Sequence, residues 1–283
     1  MKGKTHQIRL TVRDLEIFKT LSQGPKTIEQ LLRHSCRYRQ SCESYESLRR
    51  RLGLLVDSSL INVFRYYAPD AAMANYYKLT RTTFRLLHPD SELPGDSFFN
   101  ETRFGSQIHT HALHQFLSLL DEDANECGYQ IREVVRDGQL VIETGEHKLI
   151  PDCSFQLTGH RQRLNYYLEM DCGTEPVNSS KNRESLARKI RAYDRWSQLA
   201  QDPFRVLFVF TSSRERMDHF LDLAYQIMSP PYTRSLFLAT MLPGPSTQQN
   251  VVCDTVFLNH AKRPYALGLK VHPKTAKNIL VVH

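Results

Sequence analysis

The chain contains 283 residues, of which 41% are hydrophobic and 24% are charged. It is therefore long enough for two domains and has the composition of a globular protein. No run of about 18 apolar residues occurs, and Met1-Lys2-Gly3-Lys4 leads into no apolar segment, so we expect a cytoplasmic protein without a membrane span or secretion signal. The net charge of +7 suits a polyanionic partner such as nucleic acid.

The residue spacing argues against several classes of chemistry. The six cysteines form no Cys-x-x-Cys pair and no cluster with zinc-finger spacing, so we expect reduced thiols that pack in the core. No Gly-x-Ser-x-Gly sequence is present, which argues against a serine hydrolase of that type. A phosphate-binding Gly-x-x-x-x-Gly-Lys-Ser/Thr sequence is also missing, which argues against ATP-driven activity.

Residues 10–90 carry the pattern of a small helical unit that ends in a β-hairpin. Thr11 and Thr27 are good N-caps for the amphipathic helices Val12–Leu21 and Ile28–His34. Further elements are expected as a helix at 43–56, strands at 60–67 and 76–80, and a short helix at 82–87. Three helices followed by a hairpin predict a winged helix-turn-helix with its wing turn around Asp70.

The third helix of such a domain enters the major groove of DNA. Its polar face carries Arg49, Arg50 and Arg51, which are candidates for contacts with phosphates and with one base edge. The alternative is a protein-interaction domain whose arginine-rich face is only solvated. The position of the arginines on the helix that faces the groove favours DNA binding.

A second unit is expected after residues 89–106, which contain prolines and glycines with little periodicity and are predicted to be a linker. It begins with the helix Gln107–Glu126. The remaining elements are expected as strands at 129–136, 140–144, 149–157 and 164–171, a helix at 180–199, a strand at 204–211, a helix at 214–228 and a strand at 235–241. The order reads α-β-β-β-α-β-α-β, and residues 243–283 add only short strands, such as one at 250–258.

Three carboxylates on neighbouring strands of the second unit are the most informative residues. Asp152 follows Pro151, and Glu169 and Asp171 lie in the next predicted strand. The turn-prone residues 158–160 predict an antiparallel hairpin that brings the three side chains together. Clustered carboxylates repel one another unless a cation lies among them, and a divalent ion with oxygen ligands is typical. The alternative is an acidic strand end that faces solvent.

The order of these residues resembles a known family. The matching segments are Pro151-Asp152, residues 167–174 (Tyr-Leu-Glu-Met-Asp-Cys-Gly-Thr), Arg183, and residues 189–193 (Lys-Ile-Arg-Ala-Tyr). They are similar to the replication-relaxation family, which includes the MobC-type relaxases of mobilisable plasmids. The resemblance covers roughly residues 10–215. It implies a two-domain α+β protein in which a winged helix joins a restriction-endonuclease-like mixed sheet flanked by helices, of the PD-(D/E)xK type.

The resemblance implies a site-directed, metal-dependent DNA endonuclease or nickase that acts in plasmid or mobile-element transfer or replication. The implied ligands of Mg²⁺ or Mn²⁺ are Asp152, Glu169 and Asp171, and Lys189 joins them as a catalytic residue. Arg183, Tyr193 and His111 are the implied phosphate or DNA contacts. The alternative for a relaxase is a tyrosine that acts as a covalent nucleophile, and nothing among the 13 tyrosines selects one.

The implied domains are 1–88 for the winged helix, 89–106 for the linker and 107–283 for the nuclease-like unit. The implied partners are double-stranded DNA, including an origin site, together with a second copy of the chain or other mobilisation or replication proteins.

One residue departs from the pattern of the wider nuclease fold. The position that is usually lysine, two residues after Glu169, holds Asp171, which removes a cation that stabilises the phosphoryl transition state. In one outcome Asp171 becomes a further metal ligand and the cationic role passes to Lys189 or Arg183. In the other the site keeps only its shape, and the protein is a non-catalytic winged-helix regulator of replication or transcription. Without the motif, Lys189 would be interpreted as a solvated surface lysine.

Overall fold

The computed structural model describes residues 8–66, 74–136, 140–145, 148–173, 185–229, 235–244 and 248–268. The chain divides into two compact units, Met1–Ser118 and Leu119–His283. The predicted wing turn around Asp70 and the predicted phosphate contact Arg183 lie outside the described residues. Within the described ranges, no helix combines the length and the apolar character needed to cross a membrane.

The first unit begins with three helices and a short strand. Their bounds are α1 Val12–Leu21, β1 Lys26–Thr27, α2 Ile28–His34 and α3 Tyr45–Asp57. Thr11 caps α1, because its hydroxyl accepts the Asp14 N–H while the Asp14 carboxylate accepts the Thr11 N–H at 2.6 Å. Thr27 and Gln30 form the same reciprocal cap on α2. Such boxes satisfy N–H groups that a helix start leaves unpaired, and both predicted caps are confirmed.

A three-stranded sheet follows the helices. Strands β2 Ile61–Arg65 and β3 Asn75–Leu79 form an antiparallel pair, and β1 pairs with the other edge of β3, so the strand order is β1-β3-β2. Helix α4 Arg81–Leu87 comes next. This is the element order that the sequence predicts, with β1 added. Two residues are too few to show a periodicity, so β1 could not be predicted.

The segment predicted as a linker packs on the first unit instead. It contains helix α5 Asp96–Phe99, and Phe99 is 1% exposed within the apolar core of this unit. The buried Lys78 amine donates to the carbonyls of Ser97 at 2.9 Å and Asn100 at 2.7 Å. Burial of a large aromatic side chain outweighs the proline and glycine content that suggested a linker.

The second unit is a mixed sheet with helices. The elements are α6 Gln107–Glu126, β4 Gln130–Arg136, β5 Ile142–Glu143, β6 Lys148–Leu149, β7 Cys153–Gly159, β8 Gln162–Asp171, α7 Leu186–Leu199, β9 Phe204–Phe210, α8 Arg214–Ile227, β10 Phe237–Met241, β11 Phe257–Asn259 and β12 Pro264–Tyr265. The unit boundary falls within α6. The described part of the chain thus contains eight α-helices and one large mixed sheet.

Seven strands form the large sheet in the order β12-β11-β10-β9-β8-β7-β4. The three central strands β8, β9 and β10 run parallel, whereas β7 and β4 are antiparallel to their neighbours. Helices α7 and α8 cover one face, where they share an apolar core with alternate residues of β9 and β10. Central parallel strands need both faces covered, which explains the continuous apolar run predicted and found at β9.

The predicted hairpin that carries the carboxylates is confirmed. Strands β7 and β8 pair in register from Gly159 with Gln162 to Cys153 with Leu168. The two-residue turn consists of His160 and Arg161, whose φ angles of 48° and 62° are both left-handed. Such turns match the right-handed twist of the paired strands, although glycine and asparagine are the usual residues.

Three expectations about the second unit are corrected. The predicted strand at 149–157 is two strands, β6 and β7, because Pro151 lacks an N–H for a sheet ladder. The predicted strand at 250–258 begins with a turn, and only β11 is extended. Cys127 and Cys253 form a disulfide pair with Cα atoms 6.7 Å apart, whereas reduced thiols were expected. Their separation of 126 residues leaves no spacing signal in the sequence.

Candidate active site

Asp152 and Glu169 lie side by side on the β7–β8 hairpin. Asp152 immediately precedes β7, and its Oδ2 accepts the backbone N–H of Met170 at 2.7 Å. The register that pairs Cys153 with Leu168 continues to place Asp152 opposite Glu169. The two strands therefore bring together two of the three predicted carboxylates.

Glu169 is buried and held by two residues of α7. Its side chain is 2% exposed, Lys189 Nζ lies 2.9 Å from Oε2, and the Tyr193 hydroxyl donates to Oε1 at 2.6 Å. Burial raises the pKa of the Glu169 carboxyl to about 7, although Lys189 and the Tyr193 hydrogen bond act to lower it, and the charge of Asp152 raises it further. Lys189 thus contacts the site rather than solvent alone.

Replacing Glu169 with glutamine is expected to change how stability depends on pH. The pKa is about 7 in the folded chain against 4.5 for an ordinary glutamate, so the folded state holds an extra proton between these values. The stabilisation from this proton is complete below pH 4.5 and is lost as the pH rises through 7, on the order of 3 kcal/mol in total. Denaturant unfolding at pH 5 and pH 8 should show the variant gaining stability relative to the parent at the higher pH. An equal difference in stability between variant and parent at both pH values would contradict the raised pKa of Glu169.

Asp171 is bound to an arginine that the sequence did not indicate. Arg216, in the first turn of α8, places Nε 2.7 Å from Oδ1 and Nη2 2.7 Å from Oδ2. The Gly173 N–H donates to Oδ1 at 2.8 Å. Both oxygens of this buried carboxylate are therefore engaged with the protein, and its expected role as a metal ligand stays a prediction. The partners lie 45 residues apart, so no local pattern could reveal them.

Asp152 and Glu169 have the carboxylate oxygens that Mg²⁺ or Mn²⁺ prefers as ligands. Among the described residues, no group of three or more His, Cys, Asp or Glu side chains is arranged to hold a metal. Asp152 and Glu169 provide two carboxylates, and Mg²⁺ commonly binds one or two carboxylates together with water and substrate phosphates. A carboxylate oxygen has two lone pairs, so the contacts with Lys189 and Tyr193 leave Glu169 able to ligate. Asp152 and Glu169 are thus the two carboxylates that lie side by side, and ligation by Asp171 stays a prediction.

Tyr193 lies on α7 with Lys189 and is buried beside Glu169. Its side chain is 0% exposed, and its hydroxyl is directed at Glu169. Burial raises the pKa of the Tyr193 hydroxyl well above its ordinary value, and the Glu169 charge adds to this effect. The side chain therefore positions Glu169, and its expected contact with a phosphate stays a prediction.

The arginines of α3 separate into two groups. Arg49 and Arg50 are exposed, and Arg50 lines a cleft of about 410 Å³ with Arg13. Arg51 instead donates from Nε to Asp14 Oδ1 at 2.8 Å. Burial raises the pKa of the Asp14 carboxyl, but the hydrogen bonds from Arg51 and Thr11 outweigh it and hold that pKa below its ordinary value. Arg51 therefore pairs with Asp14 and also lines the cleft with Arg50, and its expected DNA contact stays a prediction.

His111 lies on the part of α6 that belongs to the first unit. Its ring packs edge-on against Tyr66, with 4.9 Å between the ring centroids. Burial lowers the pKa of the imidazole, which favours the neutral form near pH 7. The described contacts of His111 are therefore aromatic packing, and its expected role in DNA binding stays a prediction.

The comparisons with known proteins give weak structural similarities only. No protein-family model matches the chain, and no curated protein matches it in sequence. The crystal structure of Bacillus subtilis PadR in complex with operator DNA is similar over 41% of this chain and 76% of that one, with 13% identity and a TM-score of 0.27. The structure of the restriction endonuclease FokI is similar over 81% of this chain, with 12% identity and a TM-score of 0.27, and the chain spans 42% of FokI. One is a DNA-binding protein and the other is an endonuclease.

Proposed function

We propose that this chain is a site-directed, divalent-metal-dependent DNA endonuclease or nickase, of the relaxase-like kind that acts in plasmid or mobile-element transfer or replication. The observation that carries the proposal is the contact between Lys189 and Glu169 at 2.9 Å. The strand position expected to hold lysine holds Asp171, and a lysine from the next helix reaches the same site. Arg216 meanwhile neutralises Asp171, so its charge does not repel an anionic substrate.

The residues of this chain have separate roles in the proposed reaction. Asp152 and Glu169 would hold Mg²⁺ or Mn²⁺, which when bound supplies an activated water and neutralises phosphate charge. Lys189 would stabilise the negative charge that develops on the phosphate, and Tyr193 would hold Glu169 in place. Arg183, which lies outside the described residues, would contact a phosphate.

The first unit would bring the nuclease site to double-stranded DNA, including an origin site. Helix α3 presents Arg49 and Arg50 to solvent, as a helix that enters the major groove requires. A second copy of the chain, or other mobilisation or replication proteins, would be further partners in this proposal.

Replacing both Arg49 and Arg50 with alanine is expected to weaken DNA binding for every sequence tested. Each lost phosphate contact should also reduce the slope of log affinity against log salt by about 0.9. Arg51→Ala is measured beside it, and it should also destabilise the first unit by about 1.5–3 kcal/mol through the lost contact with Asp14. Fluorescence anisotropy at several salt concentrations measures the slope. An unchanged slope in the double variant would favour the protein-interaction alternative.

Incubation of the purified protein with supercoiled plasmid DNA tests the nuclease function. Nicking is expected with Mg²⁺ or Mn²⁺ and not with EDTA. Asp152→Ala and Glu169→Ala should each reduce the rate by roughly 10²–10³-fold or more, because each removes a ligand of the metal that would stabilise the transition state. DNA binding by both variants should remain close to that of the parent. Full cleavage by both would refute the proposed site.

A second candidate is a DNA-binding regulator whose nuclease-like unit is inactive. The observation that favours it is the pairing of Glu169 with Lys189 and of Asp171 with Arg216, which already balances both charges without a metal. Binding of cognate origin DNA with no metal-dependent cleavage would select this function.

A further inference from the structure

A second cavity, of about 400 Å³, lies in the same unit as the carboxylate site. Its lining includes the aromatic side chains of Tyr167, Trp196 and Phe204. Tyr167 precedes Glu169 by two residues on β8, so both side chains point to the face covered by α7, roughly 7 Å apart along the strand. The Tyr167 ring also packs 5.8 Å from the ring of Tyr193, whose hydroxyl holds Glu169. The cavity and the carboxylate site therefore share one aromatic layer.

A chain of oriented amides forms the polar side of this cavity. Asn165 Nδ2 donates to the Pro203 carbonyl at 3.3 Å, and Asn165 Oδ1 accepts from Gln156 Nε2 at 2.9 Å. Gln156 Nε2 also donates to Glu133 Oε2 at 3.3 Å. The Gln156 amide NH₂ group therefore donates both of its hydrogens to protein acceptors. Its Oε1 accepts no hydrogen bond from any described residue, although the side chain lines the cavity and is 4% exposed.

A strained residue fixes the far end of the amide chain. Strand β4 bulges between Arg132 and Val135, and Glu133 within the bulge has a left-handed φ of 51°. The bulge directs the Glu133 carboxylate to Gln156 and to Arg163, which lies 3.5 Å away. Bulges that redirect a side chain, and left-handed residues other than glycine, concentrate at binding sites.

We propose that this cavity binds an unpaired nucleobase of the DNA, an inference that rests on the proposed function. Aromatic side chains provide stacking surfaces for the flat face of a base. The accepting Gln156 Oε1 selects a base with an exocyclic amino donor, such as adenine or cytosine. Thymine presents a carbonyl oxygen at the equivalent position and would leave Oε1 facing another acceptor.

Trp196 is the only tryptophan in the chain, so its fluorescence reports directly on stacking in the cavity. The full chain is titrated in EDTA with short oligonucleotides of deoxyadenosine, deoxycytidine or thymidine. Saturable quenching is expected, about tenfold tighter for the adenine and cytosine oligonucleotides than for thymine. This comparison uses the unaltered chain and does not depend on the folding of any variant. Absence of quenching, or equal affinity for the three bases, overturns the proposal.

Two variants test the proposed hydrogen bond from the base to Gln156 Oε1. Gln156→Leu should reduce the affinity for the adenine and cytosine oligonucleotides to that of thymine. Gln198→Leu, which changes an exposed glutamine of α7, should leave all three unchanged. The Arg49→Ala/Arg50→Ala chain should bind all three oligonucleotides more weakly while the ratio of their affinities stays the same, and loss of that ratio would assign the signal to the first unit and overturn the proposal. Binding of free dAMP or dCMP as tightly as the oligonucleotides would overturn the assignment to DNA.

The outcomes separate this inference from the proposed function. If the protein shows base-selective quenching but does not nick plasmid DNA, the nucleobase cavity is supported and the nuclease function is refuted. If the protein nicks DNA in a metal-dependent way but shows no base-selective quenching, the nuclease function is supported and the nucleobase cavity is refuted.

Discussion

Replacing Arg216 with methionine is expected to destabilise the second unit by about 3–5 kcal/mol, because it leaves the Asp171 carboxylate buried without its partner. The side chains of Asp171 and Arg216 are 2% and 15% exposed, so solvent screens this pair weakly. Denaturant unfolding followed through Trp196 measures the effect within the second unit, which contains that residue.

The double variant Asp171→Asn/Arg216→Met separates the ion pair from packing. It removes both charges, so it should lose clearly less stability than the two single changes added together. Arg214→Met is the control in the same turn of α8, since Arg214 pairs with Asp218 at the surface and should change stability by less than about 1 kcal/mol. Additive losses in the double variant would show that Asp171 and Arg216 do not act as a pair.

Replacing Lys189 with methionine is expected to reduce metal-dependent nicking by roughly 10²–10³-fold while DNA binding stays the same. The variant removes the cation that contacts Glu169, and the corresponding stabilisation of phosphate charge is lost. Single-turnover cleavage of plasmid DNA at saturating metal concentration measures the rate of the cleavage step.

Arg191→Met is the matched control for the Lys189 variant. Arg191 lies on the same helix, carries the same charge and is exposed. Its replacement should change nicking by less than about threefold, as expected for a screened surface charge. A similar loss in both variants would assign the effect to the general charge of α7 rather than to Lys189.

Local patterns predicted much of the fold. The capping residues Thr11 and Thr27 and the helix Gln107–Glu126 were predicted with the observed bounds, since caps and helical periodicity depend on residues a few positions apart. The hairpin of β7 and β8 was also predicted from the turn-prone residues 158–160, although its two-residue turn is His160-Arg161 and both strands extend further toward that turn than predicted.

Long-range pairings could not be predicted in the same way. Asp171 meets Arg216 across 45 residues, and Asp14 meets Arg51 across 37. The position of Arg51 has a simple origin, since consecutive helical residues point about 100° apart and three adjacent arginines cannot share one face. Which of them turns inward depends on the Asp14 carboxylate of another helix, and no pattern within α3 contains that information.

The site was predictable in outline and not in detail. Asp152 and Glu169 were brought together by a local hairpin, and Lys189 was proposed as the replacement cation from its place on the following helix. The burial of Tyr193 and the pairing of Asp171 depend on how α7 and α8 pack on the sheet, which only the tertiary structure specifies.

The left-handed turn at His160 and Arg161 has a consequence for how this protein can change during evolution. Alternate residues of β8 point to the same face of the sheet, so Tyr167, Glu169 and Asp171 depend on one strand register. A substitution at any of them alters one contact. An insertion or deletion in the turn that shifted the pairing of β8 by one residue would place all of these side chains on the opposite face. Related chains should therefore keep the length of this hairpin constant.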